Sequence, residues 1–230
     1  MATTSTTWQR RTVFQGEVAQ AMEAALHLLE YKENPREQAT LDNNRTAYRQ
    51  GWFALMRTLV QNERWGEILD GTTLPVYDKP RELAWRHWAA GIAQAARRNG
   101  TGAAEALDSM DEALDSYQEK VKQAVPAELR VARMELHAQI LIARNKLEEG
   151  FARLEKIAAR EASLIYSEPP FYPRPVNEAL GRLALAHSRF ELAERAFRGA
   201  LDRFPASHIA TRGLDQLRNR NATSGPAGLE

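Results

Sequence analysis

Apolar residues return every three or four positions from one end of this chain to the other, the mark of amphipathic helices. Over 12–31, Phe14, Val18, Met22, Ala25 and Leu29 share one helical face. Asn34, Pro35 and Glu37 then form a start signal: Asn34 suits the cap, Pro35 the first helical position, and Glu37 stands three residues after the cap. The helix that begins there runs to Gln61, with Phe53, Met56 and Val60 on one side. A short helix is predicted over 65–69, and Gly71, Pro75 and Pro80 make 70–80 a loop. Further helices are predicted over 81–98, 102–124, 126–144 and 147–166, with Asn99-Gly100 as a turn and Pro126 as a start. A last helix over 206–218 covers the open end of the final pair. No segment alternates as a half-buried strand does, so the predicted class is all-α.

The most ordered pattern lies at 175–205, where Leu180-Gly181 precedes Ala184, then Ala193, Phe197 and Ala200, and Pro205 closes the run. Gly181 and Ala193 are small where two helices would cross, Phe197 fills the gap to the next unit, and Pro205 stops the second helix. This spacing resembles the tetratricopeptide repeat, a helix-turn-helix unit of about 34 residues. The tyrosine usual in its first helix is Ala184 here, and the usual tryptophan is Asn177. Weaker copies place Ala138, Leu141, Gly150 and Leu154 in the same roles, then Gly91, Gln94, Ala103 and Leu107, then Met56, Leu59 and Ile68. The glycine-equivalent positions 56, 91, 138 and 181 are 35, 47 and 43 residues apart. ERWGEIL at 63–69, ELAWRHWAAGIA at 82–93 and EPPFYPRPVNEALG at 168–181 also resemble the C-terminal part of longer bacterial tetratricopeptide proteins, which mostly have no assigned activity. The resemblance implies a right-handed α-solenoid of antiparallel helix pairs. The expected organisation is a flexible N-terminus at 1–11, a single helical domain at 12–218 and a disordered tail at 219–230.

Composition narrows the function classes. The 230 residues are 43% apolar and 27% charged, with a net charge of +1, so no basic excess points to nucleic acid. No apolar run approaches the ~18 residues of a membrane span, and the N-terminus has no apolar core of a secretory signal. The absence of cysteine excludes disulfides, zinc-thiolate sites and cysteine nucleophiles, and fits a cytoplasmic location. Glu23 and His27 are one helical turn apart, but two facing Glu-x-x-His motifs would be needed for a helical di-metal site. Glu105, Asp108, Asp111, Glu112 and Asp115 form an acidic stripe without the glycine-turned loop that gathers calcium ligands. No phosphate loop, nucleophile elbow or dinucleotide fingerprint is present. The expectation is therefore no catalysis, no metal and no cofactor.

What remains is binding. The resemblance implies a protein or peptide partner in a concave groove lined by first helices, here Phe53, Arg57, Trp85, Trp88, Glu135, Gln139, Glu178 and Arg182. Trp88 is the preferred anchor, since tryptophan and arginine dominate interface energetics. The set lacks the Lys and Asn pattern by which some family members clamp a C-terminal carboxylate. Two other readings stay open: a structural self-assembler, forming head-to-tail homo-oligomers or filaments, and an accessory subunit of an enzyme complex. One further stretch stands out. Four prolines between Glu168 and Pro175 predict an extended path, either a rigid spacer or a strap across the groove.

Overall fold

The computed structural model describes residues 17–31, 46–165 and 172–223. All regular structure among them is helical. The elements are α1 (Val18–Leu29), α2 (Ala47–Gln61), α3 (Trp65–Leu69), α4 (Pro80–Ala96), α5 (Gly100–Val121), α6 (Ala127–Ala143), α7 (Leu147–Ala162), α8 (Val176–Ala186), α9 (Phe190–Arg203) and α10 (His208–Thr223). The chain is all-α, as its periodicity predicts. It divides into two compact units, one ending at Arg174 and the other beginning at Pro175. None of the described helices is long and apolar enough to cross a membrane.

Local chemistry sets the boundaries. The start signal at 34–37 lies outside the described residues, and α2 opens at Thr46, whose hydroxyl accepts from Arg49 N at 3.2 Å. In the loop after α3, the Asp70 carboxylate accepts from the backbone N–H groups of Thr72 and Thr73, 2.8 Å each. α5 begins two residues earlier than predicted because Asn99 caps it, accepting from Gly102 N at 3.0 Å. It stops at Val121, before the predicted Ala124, where Lys122 takes a left-handed φ of 59°. α7 ends at Ala162; its predicted end at Tyr166 lies outside the described residues. α10 runs to Thr223, past the predicted Arg218, and starts from Ser207, whose Oγ accepts from Ala210 N at 3.1 Å.

One turn occurs four times. Glu63, Arg98, Asn145 and Ser188 have φ of 55°, 59°, 61° and 58°. Each donates its N–H to the carbonyl three residues back, and the following residue donates to the carbonyl five residues before it. This is the Schellman ending, normally built on glycine. A new helix then starts two residues later, at Trp65, Gly100, Leu147 and Phe190. Each left-handed residue stands seven positions after one of 56, 91, 138 and 181 (63 − 56, 98 − 91, 145 − 138 and 188 − 181). The irregular spacing of 35, 47 and 43 is thus also the spacing of the turns.

In the first unit α4 packs against α2, α3, α5 and α6, while α1 packs on α2 and α7 on α6. α2, α4 and α6 are buried on most sides, and their buried residues include Arg49, Arg57, Glu82, Glu135 and Gln139 beside the apolar ones. A Cβ on Gly51 would stand 2.6 Å from Leu28 Cβ, so only glycine allows α1 this close to α2. In the second unit α8, α9 and α10 all pack on one another. Ala193 and Phe197 are buried there, as the repeat spacing predicts.

Candidate functional site

The six predicted groove residues of the first unit do come together. Trp85 and Trp88, one helical turn apart on α4, meet edge to face at 5.3 Å between centroids. Phe53 of α2 packs edge-on against Trp85 at 5.5 Å, and the Arg57 guanidinium lies 5.3 Å above the Phe53 ring. On α6, Gln139 donates to Glu135 Oε1 at 2.9 Å.

These residues do not line an open surface. Trp85, Trp88 and Glu135 are 0% exposed, and Arg57 and Gln139 are buried too; Phe53 alone is half-buried. Part of the cover is the chain itself. Tyr172 lies 6.0 Å from both Trp85 and Trp88, and its hydroxyl donates to Glu135 Oε2. Arg174 donates from Nη2 to Glu135 Oε1 at 2.8 Å and stands 5.9 Å over the Trp88 ring. Between them, the Pro173 carbonyl accepts from Gln61 Nε2 at 3.0 Å. Residues 168–171 of the proline-rich stretch lie outside the described residues, and the chain bends through 172–174. Tyr172 and Arg174 both precede prolines and so are kept out of helical backbone, and the bend brings both onto one carboxylate.

The electrostatics are those of a closed ion pair. Burial disfavours the Arg174 charge, but the Glu135 carboxylate, through its charge and its hydrogen bond, together with Tyr172 and Glu63 outweighs it and raises the pKa. Burial, reinforced by the charge of Glu135, pushes the Tyr172 phenol well above its ordinary value, so it serves as a neutral donor. A second buried pair ties α2 to α4: Arg49 Nε and Nη2 both lie 2.5 Å from Glu82 Oε1. Burial raises the Glu82 pKa, against the pull of Arg49.

The remaining two predicted residues belong to the second unit. Glu178 is buried and accepts from the hydroxyl of Ser207 at 2.5 Å, so it supports the cap of α10. Arg182 is half-buried. Elsewhere, part of the acidic stripe is paired: Arg133 holds both oxygens of Asp111 at 2.6 Å, beside a surface cleft of about 410 Å³ that Asp115 and Arg130 also line. Among the described residues no group of three or more His, Asp or Glu is placed to hold a metal ion.

Glu135 and Gln139 share one face of α6, and residues 172–174, part of the proline-rich stretch read as a spacer or a strap, lie over them; the specific partners Tyr172 and Arg174 were not foreseen. The available signal was the alternation of Tyr172 and Arg174 with prolines, which fixes two long polar side chains on a stiff stretch. The chain matches no protein-family model, no curated protein and no solved structure.

Proposed function

We propose that this chain is a non-enzymatic protein-interaction module of the α-solenoid class, built from tetratricopeptide-like helix pairs and acting in the cytoplasm. The observation that carries the reading is the fourfold turn, which recurs at a fixed offset from the four repeat positions despite their unequal spacing. Repeats of this kind present surfaces for other proteins. A protein or peptide partner is therefore the expected ligand, and no cofactor is called for.

Self-assembly through the C-terminal helix has less support. Ile209, Ala210 and Leu217 of α10 are buried, while Arg212, Asp215 and Arg218 are exposed, as on a capping helix. The test is cross-linking capture from a cell extract with the full chain as bait, paired with light scattering over a wide concentration range. A monomer that cross-links to a distinct protein through the first unit supports the reading. A chain that retains no other protein but grows in mass with concentration replaces it with the self-assembler.

A further inference from the structure

The cluster around Glu135 has more polar capacity than its present occupant uses. The indole nitrogens of Trp85 and Trp88 are buried with no hydrogen-bond partner, as is Gln61 Oε1. Native cores pair nearly all such groups. These three belong to side chains that surround Tyr172-Pro173-Arg174, and Gln61 already gives its Nε2 to the Pro173 carbonyl. Pro173 has no N–H to return to Gln61 Oε1.

The occupant is held as a ligand is held. It has no regular secondary structure, and its polar anchors include a phenol, a guanidinium and one carbonyl. The two side-chain anchors converge on the single carboxylate of Glu135, and the Tyr172 ring lies 6.0 Å from each of the two tryptophans. Aromatic-lined grooves that take proline-rich segments use the same elements. The segment also ends its unit, because the second unit begins at the next residue, Pro175.

We propose that the cleft formed by Gln61, Trp85, Trp88, Glu135 and Gln139 is a peptide-recognition site for a partner segment carrying a tyrosine and, two residues later, an arginine, with Tyr172–Arg174 as its resident competitor. This rests on the interaction-module reading and names the partner chemistry of that module. Glu135 reads the phenol and the guanidinium together. The tryptophan faces take the aromatic ring and the arginine plane. A tethered competitor acts at an effective concentration of roughly millimolar, so only a better-matched or more abundant segment displaces it.

The probe is the acetylated hexapeptide Tyr-Pro-Arg-Pro-Val-Asn, titrated calorimetrically into the full chain. In the double variant Tyr172→Ala/Arg174→Ala the competitor is gone, and apparent affinity should rise about tenfold or more over the wild type. Adding Glu135→Gln should abolish that gain, and a peptide with Glu in place of Arg should not bind. A double variant that keeps its helical spectrum and cooperative melt yet binds no peptide overturns the proposal. If that variant fails to fold, Tyr172→Phe, which removes only the hydroxyl, takes its place. Its Trp85 and Trp88 indole N–H resonances should move on titration; fixed resonances at saturating peptide overturn the proposal. A wild-type dimer that the double variant cannot form would overturn the choice of partner and assign the site to a second copy of the chain. If the peptide fails but cross-linking still finds a partner elsewhere on the molecule, this inference falls and the module reading stands.

Discussion

A β-carbon added to Gly181 would stand 2.5 Å from Cε1 of Phe197. The opposite edge of the same ring meets Gly213 of α10, so the ring cannot slide away from an intruding methyl. Gly181→Ala should therefore destabilise by about 1–3 kcal/mol through overpacking, although alanine is the better helix former. Phe197→Ala should cost about 3–5 kcal/mol. Chemical denaturation of the two variants and the parent measures both. An unchanged midpoint for Phe197→Ala would remove the packing basis of the repeat frame.

The Glu135 cluster makes a different kind of prediction. Arg174→Ala leaves a buried carboxylate without its cation and should cost about 3–5 kcal/mol. Adding Glu135→Gln removes the stranded charge, so the double variant should recover part of the loss. The coupling is read from a double-mutant cycle in urea. Additive effects of the two changes would show that the pair is not closed as its geometry indicates.

The four left-handed turn residues are all non-glycine, and each bears the strain of a Cβ in that region. Ser188 and Arg98 are exposed, so their side chains have little packing to lose. Ser188→Gly and Arg98→Gly should each stabilise by roughly 0.5–1 kcal/mol, less than the full strain because glycine loses more entropy on folding. Asn145→Gly should gain less, since asparagine tolerates this conformation best. Thermal melts would register the first two as a rise of a few degrees.

Two histidines give stability a pH dependence. Burial lowers the pKa of His87, with Arg86 adding to it and Glu112 opposing. Burial also lowers that of His137, with Arg153, Arg133 and Arg144 adding and Glu149 opposing; its Nδ1 lies 2.7 Å from Arg153 Nη1. Their folded values lie below the unfolded value, so the contribution is fully present above about pH 6.5 and is lost as pH falls through that range. The urea midpoint should drop on acidification, and His137→Gln should blunt the drop. Asp70 acts in a lower window. Hydrogen bonds from the Thr73 hydroxyl and then from the Thr73 and Thr72 amides lower its pKa from 3.8 to about 2, so its contribution fades between those values. Carbon-detected NMR titration reads this directly, and a value near 4 would show that the loop is open in solution.

How much of this was legible follows from what each feature depends on. The helices rest on contacts within a few residues, and the sequence carries most of them: Pro126 opens a helix as expected, while the cap at Asn99 and the helix start at Pro80, read as turn and loop, shift two boundaries by only one or two residues. The Glu135 cluster rests on partners 37 and 39 residues away, and no periodicity links them. Arg57 and Glu135, expected to line an open groove, are instead buried. Their partners make burial tolerable, and only the folded chain brings the partners near.

The recurring turn has a consequence for how such a chain can change length. On its N-terminal side the register is fixed to the residue; on its C-terminal side the following helix has 5, 22, 16 or 14 residues. The joint is constant and the arm is adjustable. Insertions that lengthen an arm by whole helical turns leave the hinge chemistry untouched, whereas a single residue added between position 181 and Ser188 would rotate everything downstream by about 100°.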